Sequence, residues 1–338
     1  MEVKVREDWL SQVKEEAIEP ARRIVDPHHH FFAQTEVYPH YNLTSLQGDT
    51  ASHNVEQTVY LQCWEGYRTS GPEEMKCVGE TEWVDGIASR ARQNPLSVQI
   101  GAIVSTAALS LGDAVRPILE AHQAASKLFR GIRDIAAWDN QYDVLLSMEG
   151  LTDGDLYGKA NFRAGFKVLG DMGFSFDAYH YYHQTPYLTK LAQAFPNTQI
   201  VLNHLGTPLG VGPYAARKDE VFADWKRGLA DVAKCPNVTI KLGGLAMPWN
   251  GFGFENGPRP PTSDELVAKQ SAHYHYAIET FGPNRCMFES NFPVDKCGVS
   301  YVVLWNAFKK IAAKYSEAEK DAMFRGTATR VYRIGARA

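Results

Sequence analysis

Short apolar runs recur along the whole chain, separated by stretches long enough to form helices. Most of these runs are continuous and do not alternate with polar residues, which is typical of strands covered on both faces. The pattern predicts eight strands, at residues 22–28, 56–63, 96–105, 128–135, 174–181, 198–205, 237–244 and 285–292.

Helical patterns fill several of the intervening stretches, among them 114–129, 185–196 and 263–282. Eight alternating strand and helix units predict an α/β protein with a (β/α)8 TIM barrel. We expect a single barrel domain over 21–338 and a helical extension over 1–20. An open doubly wound sheet is the alternative, although no Gly-x-Gly-x-x-Gly motif follows the first predicted strand. The Pro- and Gly-rich stretch 247–263 is expected to be a long functional loop after strand seven.

Composition narrows the class of partner. Hydrophobic residues make up 44% and charged residues 22%, with a net charge of -4 and no basic block. Neither nucleic acid nor a membrane is therefore an expected partner, whereas a small-molecule substrate is, and a homo-oligomer stays open. The first twenty residues are too charged for a signal peptide, so we expect a cytoplasmic protein. Five widely spaced cysteines without a CxxC pair indicate reduced thiols.

The histidine run in "IVDPHHHFF" stands at the end of the first predicted strand. TIM barrels carry their chemistry at this end of each strand. Side chains alternate along a strand, so His28 and His30 project to one side and His29 to the other. Two such imidazoles suit Zn²⁺ or Mn²⁺ when further ligands join them. Hydrogen-bonded packing at a strand end is the alternative for the pair.

Two further strand ends carry isolated polar residues. His204 in "VLNHLGTP" lies where Gly and Pro mark an abrupt exit into a loop, a position that suits acid–base chemistry, ligand binding or simple capping. Arg133 in "FRGIRD" follows apolar residues, and a buried guanidinium requires a partner. That partner is either a neighbouring carboxylate such as Asp134 or an anionic or carbonyl group of a ligand.

The eighth predicted strand ends in "ESNFPVDK", which offers Glu289, Asn291 and Asp295. Glu289 and Asn291 share one face of the strand. The carboxylate could act as a general base, whereas the amide could not, because it neither gains nor loses a proton near neutral pH.

Aromatic segments such as "CWEGY" and "AYHYYH" stand in the predicted loops around the barrel mouth. They are consistent with a planar or sugar-ring ligand, although core packing is the alternative for each aromatic residue. The candidate substrate-binding residues are Arg133, Trp64, Tyr182, His183 and Asp295.

Four motifs, "DPHHH", "GIRD", "VLNHLGTP" and "ESNFPVDK", occur in this order over nearly the whole chain. As an ordered set they resemble the amidohydrolase-related TIM-barrel hydrolases, in particular the branch with sugar-lactone and pyrone-lactone hydrolases. The resemblance implies a distorted (β/α)8 barrel. It places the strand-one motif on Asp26, His28 and His30, the strand-four arginine on Arg133 and the strand-six histidine on His204.

The resemblance also implies a metal site of His28, His30 and His204 that holds one divalent ion, Zn or Mn, or a metal-free version of the same site. No lysine stands at the end of strand four, where relatives use one to bridge two metals. Asp26 would not touch the metal but would contact an imidazole and orient it.

Strand eight departs from the family pattern. Related lactonases carry Gly-Ser-Asp-Trp-Pro, whose aspartate ligates a metal or activates water, but here Asn291 stands in its place and Glu289 replaces the glycine. We therefore expect the base function to move to Glu289, with Asp295 as the second replacement carboxylate. The candidate catalytic residues are Glu289, Asn291, His204 and Arg133.

Three functions fit these residues. The leading hypothesis is hydrolysis of a lactone by activated water, with the oxyanion stabilised by a metal or by Arg133 and His204. The second is metal-dependent, non-oxidative decarboxylation of an aromatic acid, which Asn291 counts against. The third is a barrel that has lost catalysis and binds a small molecule; the joint retention of His28, His30, Arg133 and His204 counts against it.

Overall fold

The computed structural model describes residues 3–33, 38–94, 96–141 and 154–336. Eight parallel strands pair in sequence order to form a nearly closed barrel, which confirms the predicted (β/α)8 fold. The strands are β1 Arg23–His29, β2 Asn54–Leu61, β3 Gln99–Ser105, β4 Phe129–Ile135, β5 Ser175–Tyr179, β6 Ile200–Leu202, β7 Val238–Leu242 and β8 Cys286–Phe288. Each observed strand overlaps its predicted run, but β6 and β8 span only three residues because the chain leaves the sheet early at the barrel mouth.

The helices surround the barrel. They are α1 Glu7–Leu10, α2 Leu43–Thr50, α3 Val78–Ala91, α4 Arg116–Ala125, α5 Ala160–Asp171, α6 Thr185–Ala194, α7 Lys218–Val232, α8 Ser263–Phe281, α9 Tyr301–Ala312, α10 Glu317–Asp321 and α11 Thr327–Val331. A capping box starts α8. The Thr262 side chain accepts from the Glu265 backbone amide, and the Glu265 carboxylate accepts from the Thr262 backbone amide. The three predicted helical stretches contain α4, α6 and α8.

The barrel closes at its mouth between β8 and β1. The His30 amide donates to the Phe292 carbonyl at 2.8 Å, and the Asn291 amide donates to the His28 carbonyl at 3.0 Å. The register of β1 against β2 shifts between Asp26 and His29. Pro27 lies within this shift and has no amide hydrogen to give to a ladder. The strand that carries the histidine run is therefore locally distorted.

The C-terminal segment closes the other end of the barrel. Inward-facing Val25, Val59, Val201 and Met287 form one apolar cluster with Val331 and Tyr332. The Tyr332 carbonyl accepts a bond from Arg130 near the start of β4, which places this segment at the amino ends of the strands. The opposite, carboxyl ends of the strands are left for a polar site.

Replacing Tyr332 by alanine is expected to lower the free energy of unfolding by about 3–5 kcal/mol, because a fully buried ring leaves a cavity inside the barrel. Tyr332→Phe removes only the hydroxyl, which donates to Asp177 Oδ1 at 2.8 Å, and should cost about 1 kcal/mol. Urea unfolding of both variants measures the difference. An alanine variant as stable as the wild type would show that the segment does not close the barrel.

The N-terminal segment packs along the outside of the barrel. Within residues 3–20, α1 is the one helix, and the rest of the segment is extended or in turns. The Trp9 indole donates to the Gly257 carbonyl at 3.1 Å, and the Ile18 amide donates to Asn306 at 2.8 Å. The segment therefore binds to the long loop after β7 and to α9. The domain boundary at residue 20 stays a prediction.

Two further features concern the helices and the cysteines. In the described ranges, no helix combines the length and the apolar character that a membrane span requires. All five cysteines are buried and free, in agreement with the reduced thiols expected from their spacing.

Candidate active site

A layer of buried polar side chains lies at the carboxyl ends of the strands, above the apolar interior. None of its members is more than 4% exposed. This polar layer consists of His28, His30, Arg133, Asp177, His204, Lys241 and Glu289. The structure thus brings together side chains from or just beyond β1, β4, β5, β6, β7 and β8.

Glu289 lies between two imidazoles. Its Oε1 accepts from His204 Nδ1 at 2.7 Å and from the His204 amide at 3.1 Å. Its Oε2 lies 2.7 Å from His28 Nδ1, but the two groups are not aligned for a hydrogen bond, and Oε2 has no other hydrogen-bond partner among the described residues. The carboxylate therefore fixes His204 firmly and contacts His28 through an oxygen with unused acceptor capacity.

A tight turn presents His204 to the site. His204, Leu205, Gly206 and Thr207 all have positive φ, between 47° and 68°. The Trp225 indole donates to the Leu205 carbonyl at 2.6 Å and holds the turn from outside. Left-handed backbone at non-glycine residues costs of order 1 kcal/mol or more each and persists at sites where the surroundings enforce it. The packing thus maintains the orientation of the imidazole.

Burial favours the neutral form of the imidazoles in this layer. Burial lowers the pKa of His204, although the Glu289 carboxylate acts in the opposite direction. With Nδ1–H donated to Glu289, the Nε2 atom of His204 carries a lone pair. A neutral imidazole with its other nitrogen fixed by a carboxylate can take a proton from water.

The side chains of His28 and His30 project to the same side of β1, as the alternation of side chains predicts. Their Nε2 atoms are 3.2 Å apart, and His30 Nδ1 donates to the Leu61 carbonyl at 2.8 Å. Burial lowers the pKa of both imidazoles well below the ordinary value. His29 lies on the other side of the strand, where its Nε2 is 2.9 Å from the Thr58 hydroxyl.

Arg133 is buried without a carboxylate in salt-bridge contact among the described residues. Its Nη2 donates to the Gln62 carbonyl at 2.6 Å, and its Nη1 is 3.3 Å from His28 Nε2. Its Nε has no hydrogen-bond partner among the described residues. Asp134 accepts from the Leu109 amide at 3.2 Å, so the alternative that paired Asp134 with Arg133 is wrong. The guanidinium keeps a donor for a ligand.

Lys241, which the sequence analysis missed, lies at the floor of the polar layer. Its Nζ is 2.8 Å from Asp177 Oδ1, 3.3 Å from His28 Nδ1 and 4.0 Å from Glu289 Oε2. The signal was present in "NVTIKLGG", where a charged residue stands inside an otherwise apolar strand. A lysine at a fully buried strand position is rare unless it is paired.

Asn291 and Asp295 bind each other. The Asn291 side-chain amide donates to Asp295 Oδ2 at 2.6 Å, and the Ala246 backbone amide donates to Asp295 Oδ1 at 2.7 Å. Burial raises the pKa of Asp295 to about 8. The pair connects the loop after β8 to the loop after β7, and its predicted roles in catalysis and substrate binding stay predictions.

The other candidate substrate contacts lie in loops around the mouth. Trp64, after β2, is 39% exposed. Exposed His183 contacts the Trp138 carbonyl at 3.1 Å, and buried Tyr182 packs edge to face on Tyr214. The assignment of these three residues to substrate binding stays a prediction.

Asp26 binds backbone and a phenol instead of an imidazole ring. Its Oδ1 accepts from the Ser290 amide at 2.9 Å, and its Oδ2 accepts from the Tyr301 hydroxyl at 3.0 Å. Burial raises its pKa to about 6. The expectation that Asp26 orients an imidazole is wrong, because its carboxylate binds the Ser290 amide just after β8 and the Tyr301 hydroxyl of α9.

Two glycines after β7 make room for the central residues. A Cβ on Gly243 would lie 2.4 Å from Glu289 Cγ, and one on Gly244 would lie 2.6 Å from His204 Nδ1. We expect Gly244→Ala to displace the imidazole and lower activity at least tenfold. Gly253→Ala is the matched control, since Gly253 has a similar φ of +70° but open space around the added Cβ. The control should cost only about 1 kcal/mol of stability and leave activity unchanged. Equal activities in the two variants would contradict the packing argument.

Part of the polar layer offers donors of the kind that bind a metal ion. His28, His204 and Glu289 form a buried group whose ligand atoms lie within 4.8 Å of one another, and nitrogen and oxygen donors suit Zn²⁺ or Mn²⁺. However, Arg133 and Lys241 each lie 3.3 Å from one of the two ring nitrogens of His28. The donor types suit a divalent ion, but the two adjacent cations, Arg133 and Lys241, would repel it. His30, predicted as a ligand, is outside this group.

Comparison with known proteins identifies the family. The amidohydrolase family model matches residues 25–334. An uncharacterized protein, y4mH, from Sinorhizobium fredii is 30% identical, over 92% of this chain and 98% of that protein. An L-fucono-1,5-lactonase from Burkholderia multivorans is 29% identical, but over 52% of this chain and 56% of the lactonase.

Solved structures share the fold. An amidohydrolase from Burkholderia multivorans with bound zinc superposes with a TM-score of 0.70 and 21% identity, covering 93% of this chain and 100% of that one. A candidate 2-pyrone-4,6-dicarboxylic acid hydrolase from Pseudomonas putida gives a TM-score of 0.60 and 17% identity, covering 92% of this chain and 97% of that one. A 5-carboxyvanillate decarboxylase from Sphingomonas paucimobilis gives 0.55 and 14%, covering 93% and 99%.

Proposed function

The chain belongs to the amidohydrolase family, and we propose that it is a hydrolase that opens a cyclic ester, a lactone of sugar or pyrone type, by water attack on the carbonyl carbon. The observation that carries the proposal is the hydrogen bond from His204 Nδ1 to Glu289 Oε1, 2.7 Å long and buried at the barrel mouth. It provides a base where a barrel enzyme places its chemistry.

Water is activated by the Glu289–His204 pair. The His204 Nε2 lone pair takes the water proton while the oxygen attacks, and the Glu289 carboxylate stabilises the resulting imidazolium through Nδ1–H. When the ring C–O bond breaks, the imidazolium returns the proton to the leaving alkoxide. The product is a hydroxy acid, which releases one proton at neutral pH.

Arg133 stabilises the tetrahedral oxyanion in this proposal. Its Nε is buried and free of hydrogen bonds among the described residues, so the donor is available without breaking an existing contact. A donor of this kind, held in a site that excludes water, is worth about 3–4 kcal/mol in the transition state.

The choice of a lactone rests on two supports. The base is of the kind that ester hydrolysis needs, and the partial likeness to an L-fucono-1,5-lactonase concerns a hydrolase of a cyclic ester. Decarboxylation of an aromatic acid is the second candidate. The bonding of Asn291 to Asp295 leaves no strand-eight aspartate directed at the histidines, which weakens the metal-dependent form of that reaction.

A panel assay tests the proposal. Sugar 1,5-lactones, sugar 1,4-lactones and pyrone carboxylates are incubated with the protein in weak buffer with a pH indicator, beside a set of hydroxybenzoic acids monitored for CO₂. We expect proton release from at least one lactone above the spontaneous rate. CO₂ release without lactone opening would favour the decarboxylase. Tight lactone binding without turnover would favour the non-catalytic barrel.

A further inference from the structure

A buried lysine lies where the donors of the site converge. Lys241 is fully buried, and its ammonium contacts Asp177 at 2.8 Å and His28 Nδ1 at 3.3 Å. The Asp177 side chain is held in turn by the Tyr332 hydroxyl at 2.8 Å and by Asn203 at 3.0 Å. The position of the ammonium is therefore fixed from several directions, and the lysine cannot swing away without leaving a buried carboxylate unpaired.

The charges of the polar layer balance without an added ion. Lys241 and Arg133 are positive, Asp177 and Glu289 are negative, and all four are buried. His28 lies between the two cations, with Arg133 on its Nε2 side and Lys241 on its Nδ1 side. A divalent ion added to this layer would introduce an uncompensated charge of +2 at low dielectric, which is costly.

We propose that Lys241 supplies the positive charge at the floor of the site in place of a divalent metal, so that the wild-type chain binds zinc and manganese weakly. A metal held by His28 and Glu289 would lie against the ammonium, which is 4.0 Å from Glu289 Oε2, and would be repelled by it. Removal of the ammonium leaves the donors of His28, His204 and Glu289 in place and a net negative charge beside them. Lys241 is thus a positioning residue that holds His28 and neutralises Glu289.

The test measures zinc binding in the absence of any substrate. Wild type and Lys241→Met are loaded with ZnCl₂, dialysed, and analysed for bound zinc and for the dissociation constant. Lys309→Met is the matched control. Lys309 is also buried and donates to a histidine Nδ1, that of His53 at 2.8 Å, but it lies outside the polar layer. We expect wild type and Lys309→Met to retain less than about 0.1 zinc per chain, and Lys241→Met to bind one zinc about 100-fold more tightly, because the charge repulsion is removed.

A second variant protects the test from misfolding. Lys241→Met/Asp177→Asn removes both members of the buried pair, so no carboxylate is stranded. It should also bind zinc more tightly than the wild type, and the added change His28→Ala should abolish that gain. Stoichiometric zinc in the dialysed wild type, or no gain in either Lys241 variant, would overturn the proposal. Because no substrate is involved, a failure of the proposed lactone reaction would leave this result intact.

Discussion

Glu289→Gln is expected to lower kcat/KM for lactone opening by about 10³-fold, the middle of the range for general acid–base catalysis, because His204 loses the carboxylate that supports it as the base. Glutamine keeps the size of the side chain, and its carbonyl can still accept from His204 Nδ1, now 2.7 Å from the carboxylate. It cannot stabilise the imidazolium that forms when His204 takes the water proton. The loss should therefore appear in kcat, with KM changed little.

Asp134→Asn provides the control for this variant. Asp134 is a carboxylate at the end of β4, but it accepts from a backbone amide and its pKa is raised to about 7 by burial. We expect this variant to keep activity within a few-fold of the wild type. Wild-type turnover by Glu289→Gln would remove Glu289 from the mechanism.

Arg133→Met is expected to lower kcat by about 10²- to 10³-fold, the usual loss when one oxyanion donor is removed. The Nε of the buried guanidinium is the reason, because it has no hydrogen-bond partner among the described residues and can donate to a developing oxyanion. Steady-state kinetics separates two roles. A loss in kcat supports oxyanion stabilisation, whereas a rise in KM at constant kcat would mean that Arg133 binds an anionic group of the substrate equally in both states.

Arg130→Met is the matched control for the arginine. Arg130 lies on the same strand at the other end of the barrel and donates to the Tyr332 carbonyl. This variant should lose stability without a change in kcat. Unchanged kinetics in Arg133→Met would contradict the oxyanion assignment.

The barrel could be predicted from the sequence because its strands are continuous apolar runs, a pattern that few other arrangements produce. The ends of those runs also located His28, His204 and Arg133, which the structure brings into one layer. What the pattern could not give was the short length of β6 and β8, since the chain turns out of the sheet inside an apolar run.

The contacts within the site depended on tertiary structure. Lys241 stands within β7, so a rule that looks only at strand ends passes over it. Asn291 shares a strand face with Glu289 in an ideal strand, but its φ of 56° turns it towards Asp295. Asp26 was misassigned for a similar reason, since spacing does not show that its carboxylate meets the Ser290 amide and the Tyr301 hydroxyl.

The central claim is that water attacks the carbonyl carbon of a lactone. The place of the water-derived oxygen atom in the hydroxy-acid product tests it most directly. The best lactone from the panel is opened by the wild type in H₂¹⁸O, and the product is fragmented in a mass spectrometer. Attack on the carbonyl carbon, with the proton taken by His204, predicts one ¹⁸O in the carboxylate and none in the new hydroxyl. Label in the hydroxyl, or a product formed without ¹⁸O, would contradict the mechanism.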